Sequence, residues 1–152
     1  MRTFNYLVFG FILVLFFSCK KDDDSNFQDQ YDKDIALIEN YITENDLDAH
    51  QTSTGLYYVI ENEGNGSNPS ISNTVTVQYS GYLLDGTKFD SGTSSFPLTS
   101  VIEGWKQGIP KFKTKGRGKL LIPSYLGYGV SGSGNIPPNS VLIFDIYLIS
   151  FR

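Results

Sequence analysis

A period of two in the apolar residues limits most of this chain to a fold built on β-strands. The period is clearest in residues 141–151, VLIFDIYLISF, where Leu142, Phe144, Ile146 and Leu148 recur at every second position. Successive side chains of a strand point to opposite faces of the sheet. The spacing therefore predicts a long strand near the C-terminus with one buried face.

Further strand signals lie upstream, together with one short helical segment that Pro110 limits. The chain contains no internal repeat. Strands with a single short helix predict an α+β domain over residues 51–152, in which a curved antiparallel sheet wraps around that helix. The predicted upstream strands are 56–61, 75–80 and 119–123. A hairpin turn is predicted at 85–86, and the short helix at 101–112.

The first residues have the pattern of an export signal. Arg2 provides a positive start, and an apolar run over residues 7–17 is followed by Ser18 and Cys19. The run is short for a membrane span but has the length of the apolar core of a signal peptide. The letters FFSC resemble the cleavage box of bacterial lipoproteins, although Phe16 stands where an aliphatic residue is usual.

That resemblance implies a lipoprotein signal peptide over residues 1–18 and membrane attachment through an acylated Cys19. It implies a place in the cell envelope, as an outer-membrane lipoprotein that faces the periplasm or the cell surface. The letters CKKDDD also resemble signals that send some lipoproteins to the outer face. An ordinary signal peptide or an uncleaved anchor is the alternative.

Residues 19–30 are predicted to form an acidic tether. They are polar and have no apolar period, which is typical of a solvated spacer. The run Asp22-Asp23-Asp24 lacks the spaced ligands and the turn-forming glycine of a cation site, so solvated spacing is the favoured interpretation.

Residues 31–50 are predicted to form one additional helix. Ile35, Ile38 and Ile42 recur at three- and four-residue steps, and an aspartate at 32 or 34 suits the helix N-terminus. We expect the narrow apolar stripe to pack on the main domain. The alternative is that it forms a partner surface and drives dimerisation.

The composition excludes several classes of function. A formal net charge of −4 repels phosphate backbones, so we expect no nucleic-acid partner. The chain has one His and one Cys, which leaves no nucleophilic triad of the usual kind. We expect neither a metal nor a cofactor in the site.

An ordered set of aromatic and aliphatic residues surrounds one acid in the C-terminal two-thirds of the chain. Such a set predicts an apolar pocket with few polar tips. Taken singly, each residue has a simpler explanation: Trp105 could be an ordinary core residue, Asp90 a turn residue, and Tyr128 a residue that tethers a loop. Their occurrence together and in this order favours a pocket. The set is Tyr79, Phe89, Asp90, Val101, Ile102, Trp105, Tyr128, Ile136 and Phe144.

In four blocks that occur in the right order, the chain resembles the FKBP-type peptidyl-prolyl cis-trans isomerases. The blocks are VTVQYSGYLLDGTKFDSG, FPLTSVIEGWKQG, LLIPSYLGYG and IPPNSVLIFDIYLI, and the resemblance covers about residues 53–152. It implies a twisted antiparallel sheet that clasps a short helix, with a binding pocket between them. That fold agrees with the α+β architecture predicted from the strand pattern.

The resemblance also implies roles for the residues at the centre of the pocket. Trp105 is expected to form the floor beneath a proline ring. Tyr79, Phe89 and Phe144 are expected to form the walls. Asp90 is expected to hydrogen-bond near the wall tyrosine and to face the twisting amide.

Other residues are expected to hold the rest of the substrate. Val101 and Ile102 should line one side, with the Ile102 backbone N–H bound to a substrate carbonyl. The Tyr128 hydroxyl should bind a second carbonyl, and Ile136 should close the rim.

Two departures from the family pattern concern the strength and preference of binding. Ser94 replaces an aromatic residue that many members carry two residues before Phe96, which thins one wall. The loop between Tyr128 and Ile136, GVSGSGN, is short and lacks bulk.

By this resemblance we expect a peptidyl-prolyl cis-trans isomerase that assists the folding of exported proteins. Its partners would be proline-containing polypeptides and macrolide ligands, and we expect a monomer. The catalysis needs no nucleophile, metal or cofactor, because only rotation about an amide bond is required. A proline-peptide binding module or holdase with little turnover is the alternative.

Overall fold

The computed structural model of this protein describes residues 21–152. The predicted signal peptide and Cys19 lie outside this range. None of the described helices is long and apolar enough to cross a membrane. The helices are α1 (Lys21–Glu44) and α2 (Glu103–Gly108), and the strands are β1 (Ala49–Gln51), β2 (Tyr57–Asn62), β3 (Thr74–Leu83), β4 (Lys88–Pro97), β5 (Arg117–Ile122) and β6 (Leu142–Phe151).

The strands form one sheet in the order β1-β2-β5-β6-β3-β4, with every neighbouring pair antiparallel. The predicted inward face of β6 is confirmed, because Leu142, Phe144, Ile146 and Leu148 are all buried in the cluster that contains α2. The predicted α+β class, a curved antiparallel sheet around a short helix, is confirmed as well.

Helix α2 packs unusually close to the sheet because two glycines lie on its sheet-facing side. A Cβ atom on Gly104 would lie 2.5 Å from the Ile122 side chain, and one on Gly108 would lie 2.5 Å from Leu120. The regular part of α2 is shorter than the predicted 101–112, and a 3₁₀ turn at Ile109–Lys111 continues it. The close approach leaves Trp105, on the same helix, inside the main core.

Helix α1 covers the opposite face of the sheet. Ile38 is fully buried in a second cluster with Tyr57, Val59, Leu121 and Ile143. The predicted stripe therefore packs on the domain of its own chain. Because side chains alternate along β6, Ile143 faces α1 while its neighbour on the strand faces α2.

The predicted boundary between the tether (19–30) and the additional helix (31–50) is wrong, as is the predicted end of that helix. The segment predicted as a tether, 19–30, is helical from Lys21 onwards, and the helix predicted over 31–50 already ends at Glu44. An exposed helical turn needs no apolar stripe, so the polar composition did not reveal it. The helix stops where Asp46 adopts a positive φ of 51°, which helices do not continue through.

Candidate active site

A cavity of about 550 Å³ lies between α2, strands β3, β4 and β6, and the loop that joins β5 to β6. All nine residues that the sequence predicts to form a pocket line it. They are Tyr79, Phe89, Asp90, Val101, Ile102, Trp105, Tyr128, Ile136 and Phe144, and they are joined there by Phe96, Ser100, Ser133, Gly134 and Asn135.

The bottom of the cavity is made of aromatic rings packed edge to face. Trp105 and Phe144 are its most buried rings, with exposed fractions of 5% and 4%. The Trp105 ring lies 5.2 Å from the rings of Tyr79 and Phe144, with interplanar angles of 82° and 84°. Phe96 packs on Trp105 at 5.2 Å. Edge-to-face contacts of this kind are favourable, so the indole is held in place by its neighbours.

The Trp105 indole N–H is buried and has no hydrogen-bond partner within residues 21–152. The position of this ring is therefore set by packing and not by a polar contact. An indole fixed in this way presents a rigid surface to whatever enters the cavity.

A β-bulge explains how two consecutive residues of β4 both face the cavity. Gly81 of β3 pairs with Asp90, whereas the next residue, Tyr82, pairs with Lys88, so Phe89 is the extra residue. Neighbours in a regular strand point to opposite faces, but a bulge redirects a side chain. The bulge thus brings an aromatic wall and the carboxylate to the same side.

Gly81 makes room for two of the walls. A Cβ atom at this position would lie 2.5 Å from the Phe89 ring and 2.8 Å from the Phe144 ring. The two rings meet edge to face with their centroids 5.4 Å apart. Without a side chain at position 81, both aromatic groups can close over the strand.

Asp90 supplies the carboxylate of the cavity. One of its oxygens accepts a hydrogen bond from the Tyr79 hydroxyl at 2.9 Å, and the other accepts one from the Ser91 N–H at 2.8 Å. Burial, with the bond to Asp90 in second place, raises the pKa of Tyr79. Burial, and then the charge of Asp90, raises the pKa of Tyr128. Both hydroxyls therefore remain protonated at neutral pH, where they can donate hydrogen bonds.

Val101 and Ile102 line the cavity just before α2 begins. The Ile102 carbonyl accepts hydrogen bonds from the N–H groups of Trp105 at 3.0 Å and Lys106 at 3.2 Å, which fixes this residue to the first turn. Across the described residues, its own N–H has no hydrogen-bond partner. A rigid, unpaired donor thus lies beside the aromatic floor.

Tyr128 and Ile136 come from the loop between β5 and β6. The Tyr128 carbonyl accepts a hydrogen bond from the Gly132 N–H at 3.2 Å, and Ser133 and Ile136 exchange backbone bonds of 3.0 and 2.8 Å. Ile136 is 8% exposed, whereas Tyr128 is 37% exposed. The short loop is therefore internally bonded, with Ile136 packed into the wall and Tyr128 at the opening.

Phe96 is the main cavity residue that the sequence analysis missed. It lies on the same period-two face of β4 as Asp90, which is the signal that could have revealed it. Ser94 is exposed and does not line the cavity, whereas Phe96, two residues further along β4, does. The residues Ser100, Ser133, Gly134 and Asn135 are exposed at the rim, and no sequence pattern distinguishes them.

Taken together, the site offers an apolar cavity, one carboxylate and a few hydrogen-bond donors. Within residues 21–152, no cluster of three or more His, Cys, Asp or Glu side chains is arranged to hold a metal ion. The arrangement is suited to binding a mostly apolar group and fixing polar atoms on either side of it.

Comparison with known proteins finds one family. The sequence model of a family described as FKBP-type peptidyl-prolyl cis-trans isomerase matches residues 65–149. A protein of Aeromonas hydrophila named FKBP-type peptidyl-prolyl cis-trans isomerase FkpA is 42% identical over 106 residues, which are 66% of this chain and 40% of that protein. The chain thus spans about two fifths of the length of such curated relatives.

Solved structures agree with this comparison. The crystal structure of FkpA from Escherichia coli superimposes with a TM-score of 0.71 at 37% identity, covering 85% of this chain and 66% of that one. A peptidyl-prolyl cis-trans isomerase from Pseudomonas syringae gives a TM-score of 0.73 at 28% identity, covering 82% of this chain and 95% of that one.

Proposed function

This chain belongs to the FKBP-type peptidyl-prolyl cis-trans isomerases, and we propose that it catalyses cis/trans rotation about Xaa-Pro bonds in the aromatic cavity. We further propose that its substrates are exported proteins during folding. The observation that carries the proposal is the convergence of all nine predicted residues on one cavity of about 550 Å³.

Rotation about an Xaa-Pro bond must break amide resonance, against a barrier of roughly 18–20 kcal/mol. In the twisted state the proline nitrogen is pyramidal and the amide is less polar than when planar. An apolar cavity therefore favours the twisted amide over the planar one. This is differential binding of the transition state, and each tenfold gain in rate needs only about 1.4 kcal/mol.

The polar groups have complementary tasks in this mechanism. The proline ring would lie on Trp105, and the Ile102 N–H and the Tyr128 hydroxyl would hold carbonyls of the flanking peptide. Asp90 would face the rotating amide, with its carboxylate oriented by the bond from Tyr79. Groups that are already oriented need not reorganise as the amide twists.

The test is an isomerisation assay on an Xaa-Pro peptide, by coupled proteolysis or by NMR exchange. We expect the purified protein to accelerate isomerisation and a macrolide ligand to inhibit it. The double variant Trp105→Ala, Asp90→Ala should lose at least about tenfold in kcat/KM. The exposed Asp48, remote from the cavity, supplies the matched control Asp48→Ala, which should retain activity. Wild-type activity no higher than that of the double variant would refute the proposal.

A binding module or holdase with little turnover is the second candidate. The exposed Ser94, which adds no side chain to the cavity wall, favours it. Trp105 is the only tryptophan, so its fluorescence reports occupancy of the cavity directly. A change of emission on adding a proline peptide, together with an unchanged isomerisation rate, would favour this candidate.

The proposed place of action is the cell envelope, with the chain anchored through an acylated Cys19. The support is the apolar run over residues 7–17 followed directly by FFSC. Mass spectrometry of the protein isolated from membranes should show acyl chains on Cys19, and Cys19→Ser should release the protein from them. An unmodified Cys19 in the membrane fraction would contradict the anchor.

We also propose that the chain is a monomer. The support is that the apolar stripe of α1 is covered by the sheet of its own chain, with Ile38 fully buried. Light scattering should give the mass of one chain. The mass of a dimer would contradict this proposal and favour the alternative in which α1 forms a partner surface.

A further inference from the structure

Asp34 is a buried carboxylate on α1, and its hydrogen-bond partner Ser124 lies four residues before Tyr128 of the candidate active site. It is fully buried, and the one other buried polar side chain among the described residues, Ser124, is bonded to it. One Asp34 oxygen accepts bonds from the Ser124 N–H at 2.8 Å and the Ser124 hydroxyl at 2.6 Å, and the other accepts a bond from the Gln30 amide at 2.7 Å. Because burying a carboxylate is costly, such an arrangement calls for a reason beyond packing.

Ser124 begins the 3₁₀ turn Ser124–Leu126, which leads directly to Tyr128. The Ser124 carbonyl accepts a hydrogen bond from the Gly127 N–H at 2.9 Å, so the turn is rigid up to the residue before Tyr128. Asp34 binds the free N–H at the start of this turn as an N-cap residue would, but from a different helix.

The turn has a second contact with α1 through Tyr125. The Tyr125 ring lies 5.4 Å from the Phe27 ring and 5.6 Å from the Tyr31 ring. The Tyr125 hydroxyl donates to the Thr54 carbonyl. The backbone that leads into Tyr128 is therefore fixed by α1 on one side, whereas Tyr128 itself is 37% exposed at the opening of the cavity.

We propose that Asp34 is a positioning residue for the isomerase site, which holds the Ser124 turn so that the Tyr128 hydroxyl lies at the cavity. The inference rests on the proposed function. A buried apolar side chain could stabilise the contact between helix and turn, but it could not fix the Ser124 N–H in one direction. Helix α1 is then a part of the catalytic domain and not an appendage to it.

The test is a double-mutant cycle in kcat/KM on an Xaa-Pro peptide. Asp34→Ala should lower kcat/KM about three- to tenfold, the size of one misplaced hydrogen bond in the transition state. In a Tyr128→Phe background the same substitution should have almost no further effect, because the hydroxyl that it positions is absent. Asp34→Asn, which keeps an acceptor oxygen for Ser124, should restore most of the activity.

Two measurements separate positioning from loss of stability. Ile38 packs in a cluster that includes no residue of the Ser124–Leu126 turn. Ile38→Ala therefore weakens the contact of α1 with the sheet and should leave kcat/KM unchanged below the unfolding transition. Amide hydrogen exchange at Gly127 and Gly132, whose N–H groups are bonded within the loop, should accelerate in Asp34→Ala and not in Ile38→Ala.

The outcomes distinguish this inference from the proposed function. Activity in the wild type with unchanged kcat/KM in Asp34→Ala would overturn the inference alone. Equal losses caused by Asp34→Ala with and without the Tyr128 hydroxyl would also overturn it. A wild type that does not accelerate isomerisation would overturn the proposed function, and the role of Asp34 in it.

Discussion

Replacing Gly81 by alanine tests how tightly the cavity walls are packed. The new methyl group would be 2.5 Å from the Phe89 ring and 2.8 Å from the Phe144 ring, well inside ordinary contact. Phe144 is 4% exposed and packs on Trp105, so it cannot retreat. Phe89 is only partly buried and is the ring that must move, which would change the shape of the cavity.

The expected magnitude follows from a matched glycine on the neighbouring strand. Gly92 of β4 also lacks a positive φ, and a Cβ atom there would meet only the Tyr79 hydroxyl at 3.9 Å. Both substitutions stabilise the folded protein by about 0.4–1 kcal/mol, because alanine lowers the conformational entropy of the unfolded chain. Only Gly81→Ala adds overpacking, which costs about 1–3 kcal/mol. The two variants should therefore differ by about 1–3 kcal/mol in free energy of unfolding.

Urea unfolding followed by circular dichroism and by Trp105 fluorescence measures this difference. We expect Gly92→Ala to be as stable as the wild type or slightly more stable, and Gly81→Ala to be the less stable of the pair with an unchanged m-value. The kcat/KM for an Xaa-Pro peptide should fall in Gly81→Ala alone. If the two variants unfold at the same urea concentration, the Phe89 and Phe144 rings do not close over Gly81, and the account of the walls is refuted.

Two further predictions concern stability. Burial, followed by the charges of Tyr31 and Asp34, raises the pKa of Tyr125 to about 12, above the ordinary value of about 10, so its contribution to stability is complete below pH 10 and is lost as the pH rises towards 12. Urea unfolding between pH 8 and 11.5 should show this decline, with a smaller slope in Tyr125→Phe; a flat profile would contradict it. Ile38→Ala should lower the free energy of unfolding by about 2–5 kcal/mol because Ile38 is fully buried. Leu37→Ala is the matched control, and should lower it by only about 0.5 kcal/mol because Leu37 is partly exposed. Equal losses in urea unfolding would show that α1 is not seated as described.

The sheet was predictable because its signal is local. Alternation is set by neighbouring residues, and the face of β6 that carries Leu142 and Phe144 is the face that the sequence indicates. Boundaries are less local. The strand predicted over 119–123 is Arg117–Ile122, because partners on other strands decide where a ladder begins and ends.

The cavity was predictable in its residues but not in its geometry. The nine residues came from spaced motifs of a family, and all of them line one cavity. The bulge at Phe89 and the contact of two rings over Gly81 depend on strand register, which composition does not reveal. Phe96 shares the period-two face of Asp90, but alternation alone does not show which residues of that face line the cavity, since Ser94 lies on it and does not.

The role of Asp34 could not be predicted because its hydrogen-bond partner Ser124 is distant in the sequence. Its spacing places it one helical turn before Ile38, on the same stripe, so a charged residue stands where the pattern calls for an apolar one. Near a helix N-terminus an acid has an easy explanation in the helix dipole, and that explanation was the wrong one here, since α1 begins at Lys21. A carboxylate on a buried stripe requires hydrogen-bond donors for both of its oxygens. Gln30 on the same helix donates to one oxygen, and Ser124 donates both its N–H and its hydroxyl to the other. Because Ser124 lies 90 residues away in the sequence and next to the proposed site, only the folded structure identifies it as the partner.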